Sequence, residues 1–205
     1  MNGEPRIKRT VAFVDGQNLF HAAREAFGYT YANYDVSALA GEVCARQGWE
    51  LSEVRFYTGI PAAHDEPKHG IWTRKLAAMR RQGVVVYSRR LRYRNRQVTL
   101  PDGTRQSFPI RVEKGIDVRI ALDVIGQAHG REYDVALIMS QDQDFSEVAR
   151  EIRRIGRAQR RWIKIASAFP DSPTSRNRRG INRTDWIRID RSCYDRCLDP
   201  RDYRK

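Results

Sequence analysis

The chain is poor in cysteine and histidine and has no long apolar run. Three of its 205 residues are cysteine and four are histidine. Cys44, Cys193 and Cys197 are too few for a disulfide framework, and no nearby histidine or second cysteine pair completes a zinc site with them. No apolar run approaches the roughly 20 residues of a membrane-spanning helix, and residues 1–10 lack the apolar core of a signal peptide. We therefore expect free thiols in a reducing cytoplasm and no membrane partner.

Acidic residues are also in the minority. The sequence has 38 lysines and arginines against 25 aspartates and glutamates, which gives a formal net charge of +13. A charge this positive exceeds what solubility requires and favours a polyanionic partner, of which nucleic acid is the commonest. A basic surface without such a partner is the alternative that composition leaves open.

The sequence does contain a regular alternation of short apolar runs with amphipathic segments. The runs are rich in Val and Ile and predict strands buried on both faces; they lie at 10–15, 54–59, 84–87, 134–140 and 162–166. Helical spacing predicts helices at 16–27, 37–47, 71–82, 115–127 and 144–155. This order predicts a three-layer α/β/α, Rossmann-like domain at 8–168 with a mainly parallel central sheet. A basic extension at 169–205, with a short edge element at 186–189, is expected to pack on the same domain.

Residues 89–113 follow a different pattern, in which alternate positions are polar and apolar. Asp102-Gly103 is a hairpin turn signal at the middle of this segment. We therefore predict an arginine-rich β-hairpin inserted into the domain.

Four aspartates lie where apolar runs end or helices begin. Asp15 closes the first predicted strand, Asp142 and Asp144 follow the fourth, and Asp117 lies in the first turn of a predicted helix. The carboxyl ends of parallel strands meet at one edge of a sheet, which is where ligands bind in such folds. Clustered carboxylates repel one another unless a cation joins them, and hard oxygen ligands suit Mg²⁺ or Mn²⁺. The alternative for each acid singly is helix capping, which a carboxylate at a helix N-terminus also provides.

Three polar residues lie close to these acids in the sequence. Asn18 follows Asp15 by one helical turn and can orient a phosphate or a water; Ser140 can donate its hydroxyl to the acids; Lys114 leads directly into Asp117. Each also has an ordinary explanation as a surface or strand-end residue. No histidine lies near these motifs to act as a base, so hydrolysis of a phosphodiester would depend on a metal ion for its nucleophile.

The segments that hold these residues resemble the signature blocks of NYN domains, which are PIN-like nucleases, here of the bacterial LabA/DUF88 type. The matching segments are Val14-Asp15-Gly16-Gln17-Asn18, Lys114-Gly115-Ile116-Asp117 and Ser140-Gln141-Asp142-Gln143-Asp144-Phe145. The resemblance implies a PIN-like fold and ribonuclease activity. It also implies a divalent metal held by the acids at 15, 117, 142 and 144, with Asn18 in support. One departure is Gln141, where members usually have Gly, a residue that takes positive φ more readily.

Arginines are concentrated in two segments that we predict to bind the RNA backbone. In the hairpin they are Arg89, Arg90, Arg92, Arg94, Arg96 and Arg111, and in the extension they are Arg178 and Arg179. Tyr93 lies among the first group and could stack on a base. Contacts of this kind give affinity without reading sequence. The alternative is a solvated basic surface.

Together these features predict a metal-dependent endoribonuclease acting on single-stranded or structured RNA, with self-association possible. A first alternative is a catalytically weak NYN domain that binds RNA or a regulatory partner. A second is a phosphatase of the haloacid dehalogenase type, which needs an acid two residues after the strand-end aspartate. Gln17 occupies that position and argues against the phosphatase.

Overall fold

A computed structural model describes residues 3–100 and 103–204, which form eight strands and six helices. In chain order these are β1 (Arg9–Asp15), α1 (Gly16–Phe27), α2 (Val36–Gln47), β2 (Glu50–Ile60), α3 (Lys68–Arg81), β3 (Val85–Arg90), β4 (Arg92–Thr99), β5 (Arg105–Val112), α4 (Ile116–His129), β6 (Val135–Met139), α5 (Phe145–Ala158), β7 (Lys164–Pro170), β8 (Asp185–Ile189) and α6 (Arg191–Asp195).

Six of the strands form one sheet in the order β3-β2-β1-β6-β7-β8. Every neighbouring pair in this sheet is parallel. Strand order reverses beside β1, because the chain first builds outward through β2 and β3 and then returns to add β6 on the other side. Ligands in sheets of this kind bind at the carboxyl ends of the strands flanking such a reversal. The predicted α/β class with a parallel central sheet is confirmed.

The sheet is covered on both faces because its strands are apolar on both faces. In β1, Val11 and Phe13 pack with α4 and α5, whereas Ala12 and Val14 pack with α1, α2, α3 and α6. This division follows from the two-residue period of a strand, which turns successive side chains to opposite faces. The result is the predicted three-layer arrangement, with one hydrophobic cluster on each side of the sheet.

Helix ends follow the signals in the sequence. The Asp35 carboxylate accepts hydrogen bonds from the backbone N–H groups of Ser37 and Ala38 and so caps α2. Gly48 ends the same helix with φ at 66°, a left-handed conformation that glycine adopts without a steric penalty. These caps fix where α2 stops and β2 begins.

The hairpin prediction needs a correction at its start. Arg89 and Arg90 lie in β3, where they pair with Gly59 and Ile60 of β2. The reason is that β2 continues to Ile60 and carries the pairing of β3 beyond the apolar run. The antiparallel ribbon itself consists of β4 and β5 and begins at Arg92. Asp102, half of the turn signal, lies outside the described residues.

The C-terminal segment is part of the same fold. Strand β8 pairs with β7 and forms one edge of the sheet, at the position of the expected short element. Helix α6 adds Cys193 and Tyr194 to the core cluster beside α1 and α2. The sequence analysis did not predict this helix, because its five residues are too few to show an apolar period. Cys44, Cys193 and Cys197 are buried free thiols. Within the described residues, no helix is long and apolar enough to cross a membrane.

A pair of substitutions on α4 tests this layering. Ile120 is fully buried against the sheet, and Leu122 on the opposite side of the same helix is 61% exposed. Ile120→Ala should lower the free energy of unfolding by about 2–5 kcal/mol, and Leu122→Ala should change it by less than about 0.5 kcal/mol. Urea unfolding followed by circular dichroism measures both. Similar losses for the two variants would contradict the packing of α4.

Candidate active site

Asp15 lies at the centre of the rim formed by the carboxyl ends of the parallel strands. It ends β1, the strand between β2 and β6, and it is 4% exposed. Its carboxylate accepts a hydrogen bond from the Asn18 backbone N–H at 3.0 Å and from the Ser140 hydroxyl at 3.2 Å. Burial, with smaller contributions from the charges of Asp117 and Asp142, raises the pKa of Asp15 to about 6. Two hydrogen-bond donors therefore orient a carboxylate whose burial makes its charged form unfavourable.

Ser140 links this acid to the loop after β6. Its hydroxyl oxygen also accepts a hydrogen bond from the backbone N–H of Asp142 at 3.1 Å. The Asp142 carboxylate in turn accepts one from the backbone N–H of Asp144 at 3.0 Å. Asp142 is half-buried and Asp144 is exposed at the N-terminal end of α5. Strand β6 and its loop thus bring two further acids to the rim that holds Asp15.

Asp117 reaches the same rim from the first turn of α4. Its side chain is exposed, yet crowding by neighbouring atoms raises the pKa of its carboxyl group, and the charges of Asp142 and Asp144 add to the rise. The four acids predicted from the sequence are therefore close enough to influence one another electrostatically. Lys114, which precedes this helix, is exposed and forms no ion pair with a described residue.

Asn18 joins the two strand ends through its side chain. Its carbonyl oxygen accepts a hydrogen bond from the Gln141 backbone N–H at 2.9 Å. Gln141 is buried and does not have positive φ, so the loop takes a conformation that suits glutamine. Its side-chain amide donates to the carbonyl oxygens of Asn177 and Arg179, both at 3.0 Å. Gln141, which stands where NYN domains usually have Gly, thus connects the C-terminal segment to the acidic rim through two hydrogen bonds.

Glu113 is a fifth acid at this site that the sequence analysis missed. Its carboxylate accepts a hydrogen bond from the backbone N–H of Gly59, at the end of β2. Burial raises the pKa of Glu113 to about 7, with further contributions from the charges of Asp15 and Asp117. In the sequence, Glu113 stands four residues before Asp117, which could have indicated a role at the site. It was missed because the alternating pattern assigned residue 113 to the predicted hairpin.

The donor set fits a hard divalent cation in its chemistry. All the candidate ligands are carboxylate oxygens, which suit Mg²⁺ or Mn²⁺. Burial first, and repulsion between the acids second, raise the pKa values of Asp15 and Asp117, and a bound cation would offset both effects. Within residues 3–100 and 103–204, no three His, Cys, Asp or Glu side chains lie close enough to share one ion. Ion binding would therefore have to draw exposed side chains such as Asp117 and Asp144 toward the fixed carboxylate of Asp15.

Arg89 is a predicted RNA-binding arginine that lies beside Gly115, two residues before Asp117. One guanidinium nitrogen lies 2.6 Å from the position that a Cβ on Gly115 would occupy, so a larger residue there would have to displace this side chain. Its Nε donates to the Tyr87 hydroxyl at 2.7 Å, which fixes its direction. Gly115 also has φ at 75°, a second reason for glycine immediately before α4.

On the β4–β5 ribbon, Arg92, Arg94 and Arg96 share one face, because alternate residues of a strand point the same way. Opposite Arg94 and Arg96 lie Ile110 and Phe108, which are 38% and 43% exposed. This face therefore combines cations with an exposed aromatic ring.

Tyr93 lies on the other face of the ribbon. Its hydroxyl donates to Asp65 and accepts from the Ala62 backbone N–H, so it fastens the ribbon to the loop after β2. Of the predicted RNA-binding residues, Arg90 is exposed in β3, and the Arg111 side chain lies outside the part of the chain that the structure describes.

The extension arginines have partners of their own. Arg178 forms two hydrogen bonds of 2.9 Å to Asp171, and this ion pair lowers the pKa of the Asp171 carboxyl group. Arg179 donates weakly to Asn182 at 3.4 Å, and its backbone carbonyl accepts from Gln141. Arg179 therefore lies beside the rim, and Arg178 is occupied by a neighbouring acid.

Comparison with known proteins agrees with this architecture. A family model, the NYN domain, matches residues 9–174. A protein of unknown function from Vibrio parahaemolyticus, VPA0982, is 21% identical with a TM-score of 0.52, and the match covers 93% of this chain and 98% of that one. A ribokinase from Giardia lamblia is 10% identical with a TM-score of 0.37 over 83% of this chain and 53% of its own. No curated protein matches significantly.

The Vibrio structure supports the fold alone, and the ribokinase superposition is too loose to carry functional information. The family match carries more, because it spans all four predicted aspartates and most of the chain. NYN domains are generally nucleases with a PIN-like fold, which agrees with the parallel sheet and its acidic rim. The chain therefore belongs to the NYN domain family.

Proposed function

We propose that this protein is a metal-dependent endoribonuclease of the LabA/DUF88 type. The observation that carries the proposal is the convergence of Asp15, Asp117, Asp142 and Asp144, from three different parts of the chain, at the strand ends beside the reversal of the sheet. Capping explains any one of these acids, but it does not explain why the charges of neighbouring acids contribute to the raised pKa values of Asp15 and Asp117. The basic charge of the whole chain supports a nucleic-acid substrate.

In the proposed site, Asp15, Asp117, Asp142 and Asp144 would hold Mg²⁺ or Mn²⁺. The bound ion would supply charge neutralisation on the scissile phosphate and hydroxide at neutral pH. Ser140 and the Asn18 backbone N–H keep the Asp15 carboxylate in one orientation, and the Asn18 side chain holds the loop that presents Asp142.

Around this site, the protein's own cations would position the strand. Arg89 lies against the start of α4, where it can meet a phosphate approaching Asp117. Lys114 is exposed and without an ion pair among the described residues, so its ammonium group is available to the same backbone.

The partner we propose is single-stranded or structured RNA, held through its phosphates. The NYN domain would occupy residues 8–168 and the extension 169–205 would complete the same globule, as the strand pairing of β8 and the contacts of Gln141 support. The buried free thiols support a reducing, cytoplasmic location.

A catalytically weak, RNA-binding NYN domain is the alternative, and one observation favours it. No three acidic or other ligating side chains in the described residues stand ready to share an ion. Cleavage assays with labelled RNA and DNA in Mg²⁺, Mn²⁺ and EDTA separate the two. Metal-dependent cleavage of RNA supports the nuclease, and tight RNA binding without cleavage in any metal supports the alternative.

Removing one ligand charge should abolish cleavage without abolishing binding. We expect Asp15→Asn or Asp142→Asn to lower the cleavage rate more than about 100-fold, because the lost charge acts on the transition state more than on the bound substrate. RNA affinity measured in EDTA should stay within a few-fold of the unmodified protein.

Asp185→Asn is the matched control for these two variants. This exposed acid is the first residue of β8, at the amino ends of the parallel strands, whereas the acidic rim lies at their carboxyl ends. Cleavage by Asp15→Asn at the unmodified rate in metal-free buffer with Mg²⁺ added back would place the activity elsewhere.

Asp15→Asn should also stabilise the metal-free protein at high pH. Because the folded pKa is raised from 3.8 to about 6, the folded state binds more protons than the unfolded state between these values, and stability falls as pH rises through that window. The variant should gain at most about 3 kcal/mol at pH 8 and nothing near pH 3. The loss of one hydrogen-bond acceptor will reduce this gain.

The measurement is urea unfolding in EDTA at both pH values. Adding Mg²⁺ or Mn²⁺ at pH 8 should stabilise the unmodified protein and leave Asp15→Asn unchanged. A variant that is less stable than the unmodified protein at pH 8 would show that the buried charge of Asp15 does not destabilise the folded state.

The arginine face of the ribbon should contribute to binding of any RNA sequence. Replacing Arg92, Arg94 and Arg96 by Ala should weaken binding and lower the slope of affinity against salt by roughly 0.7 per lost phosphate contact. Stability should change little, because all three side chains are exposed.

Three arginines of α5, which carry the same total charge, provide the control: Arg150, Arg154 and Arg157, all exposed, two of them paired with glutamates on their own helix. Equal slopes for the ribbon variant and the unmodified protein would assign the RNA path to another surface.

A further inference from the structure

A cavity of about 290 Å³ lies between α1, the loop before α2, the start of α3 and residues 201–204. This volume is near the lower end of the range for small-molecule sites. Four of its lining residues are aromatic: Phe20, Tyr31, Trp72 and Tyr203. Phe20, Trp72 and Tyr203 are only partly buried, and Tyr31 is 44% exposed. The hydrophobic core therefore does not bury these rings completely. Arg204 already lies 4.3 Å from the Tyr31 centroid, and Lys75 and Arg201 lie over the Tyr203 ring. A flat ligand would stack on the ring surface that these cations leave exposed.

Basic residues outnumber acidic ones in the cavity lining. Lys68, Lys75, Arg201 and Arg204 line it together with one acid, Asp202. The lining thus combines aromatic walls with positive charge, and that is the composition that binds bases of single-stranded nucleic acid. An uncharged aliphatic ligand would form no ion pair with these cations.

The cations differ in how far they are already neutralised. Lys75 is buried, donates to the Tyr34 carbonyl oxygen at 3.0 Å and lies 3.8 Å from Asp199. Arg201 is also paired with Asp199. Lys68 is exposed and forms no ion pair with a described residue. Arg204 is paired with Asp202 and lies 4.3 Å from the Tyr31 ring centroid. Among the described lining residues, Lys68 is therefore the cation that no carboxylate neutralises, and a phosphate attached to a bound base could meet it there.

The cavity is lined by a residue of α1, the helix that follows Asp15 of the acidic rim. The Trp72 ring stacks on Phe56 with a centroid distance of 6.4 Å. The tip of the Phe56 ring lies 2.5 Å from where a Cβ on Gly16 would be, so this ring packs against the residue that follows Asp15. Phe20 follows two residues after Asn18 in α1. Helix α1 and the Phe56 ring therefore connect the cavity wall to the segment that carries Asp15.

We propose that this cavity binds a nucleobase, with the attached phosphate against Lys68. The base is either one of the bound RNA strand, a few nucleotides from the cleaved bond, or that of a free nucleotide. The first source rests on the proposed nuclease function, and the second does not. The walls supply stacking, which tolerates any base, so the cavity adds affinity rather than sequence selection.

Binding measurements in EDTA test the cavity without any cleavage. Calorimetric titrations of the full chain use three probes: a short single-stranded RNA, adenosine 5′-monophosphate, and ribose 5-phosphate, which has no base. Tyr31→Ala should weaken binding of the base-bearing probes by about tenfold, the effect of one lost stacking contact. Tyr31→Phe, which keeps the ring, should bind like the unmodified protein.

Lys68→Ala should weaken the same probes and reduce their salt dependence. Its matched control is Arg81→Ala, which removes one charge from the exposed far end of the same helix. Lys68 and Tyr31 are both exposed, so neither variant is expected to unfold the protein.

Each outcome has a definite meaning. Weakening with both the mononucleotide and the RNA supports a site for a free nucleotide as well as a strand, and weakening with the RNA alone supports a strand base. Ribose 5-phosphate that binds as tightly as the mononucleotide, or Tyr31→Ala that binds every probe like the unmodified protein, would overturn the proposal. Failure of the unmodified protein to cleave RNA would reject the nuclease function and leave these binding results unchanged.

Discussion

The burial of one carboxylate, Asp15, is the constraint on which the rest of the site depends. It is buried because β1 lies between two parallel neighbours and because the first turn of α1 follows it at once. A buried negative charge is costly unless hydrogen bonds or a cation compensate it. The Asn18 backbone N–H and the Ser140 hydroxyl provide part of this compensation. The raised pKa shows that they do not provide all of it, and the remaining deficit is what a divalent cation would satisfy.

The other acids make the deficit larger and so make the rim more selective for cations. Glu113 precedes α4 and Asp117 lies in its first turn. The charge of Asp117 contributes to the raised pKa values of both Asp15 and Glu113. Arg89 lies beside this segment without forming an ion pair with the acids in the described part of the chain. Arg89 therefore does not neutralise the acids of the rim, although the surroundings of the rim are basic. This separation suits a site that must attract a metal ion and a phosphate backbone at the same time.

The sequence predicts the sheet and the four aspartates because both depend on local pattern. Apolar runs ending in carboxylates mark buried strands and their carboxyl ends, and the topology follows from the order of elements. Glu113 could not be found in this way, since its role comes from a hydrogen bond to Gly59, a residue 54 positions away. The placement of Arg90 in β3 was missed for a similar reason, because only the pairing with β2 shows where that strand ends. The aromatic cavity combines residues near both ends of the chain, and no sequence period connects them.

Tertiary hydrogen bonds attach the basic C-terminal segment to the loop that carries Asp142. Gln141 and Gln143 donate to three backbone carbonyls of residues 177–180, so the loop that carries Asp142 and the extension have one common geometry. The backbone N–H of Gln141 also donates to the side-chain oxygen of Asn18, which lies in the first turn of α1. Glycine at position 141 would lack the side-chain amide that makes two of these bonds. The substitution that seemed to weaken the match to the family therefore adds rigidity to the rim, because it replaces backbone freedom with contacts that tie β1, β6 and the extension together.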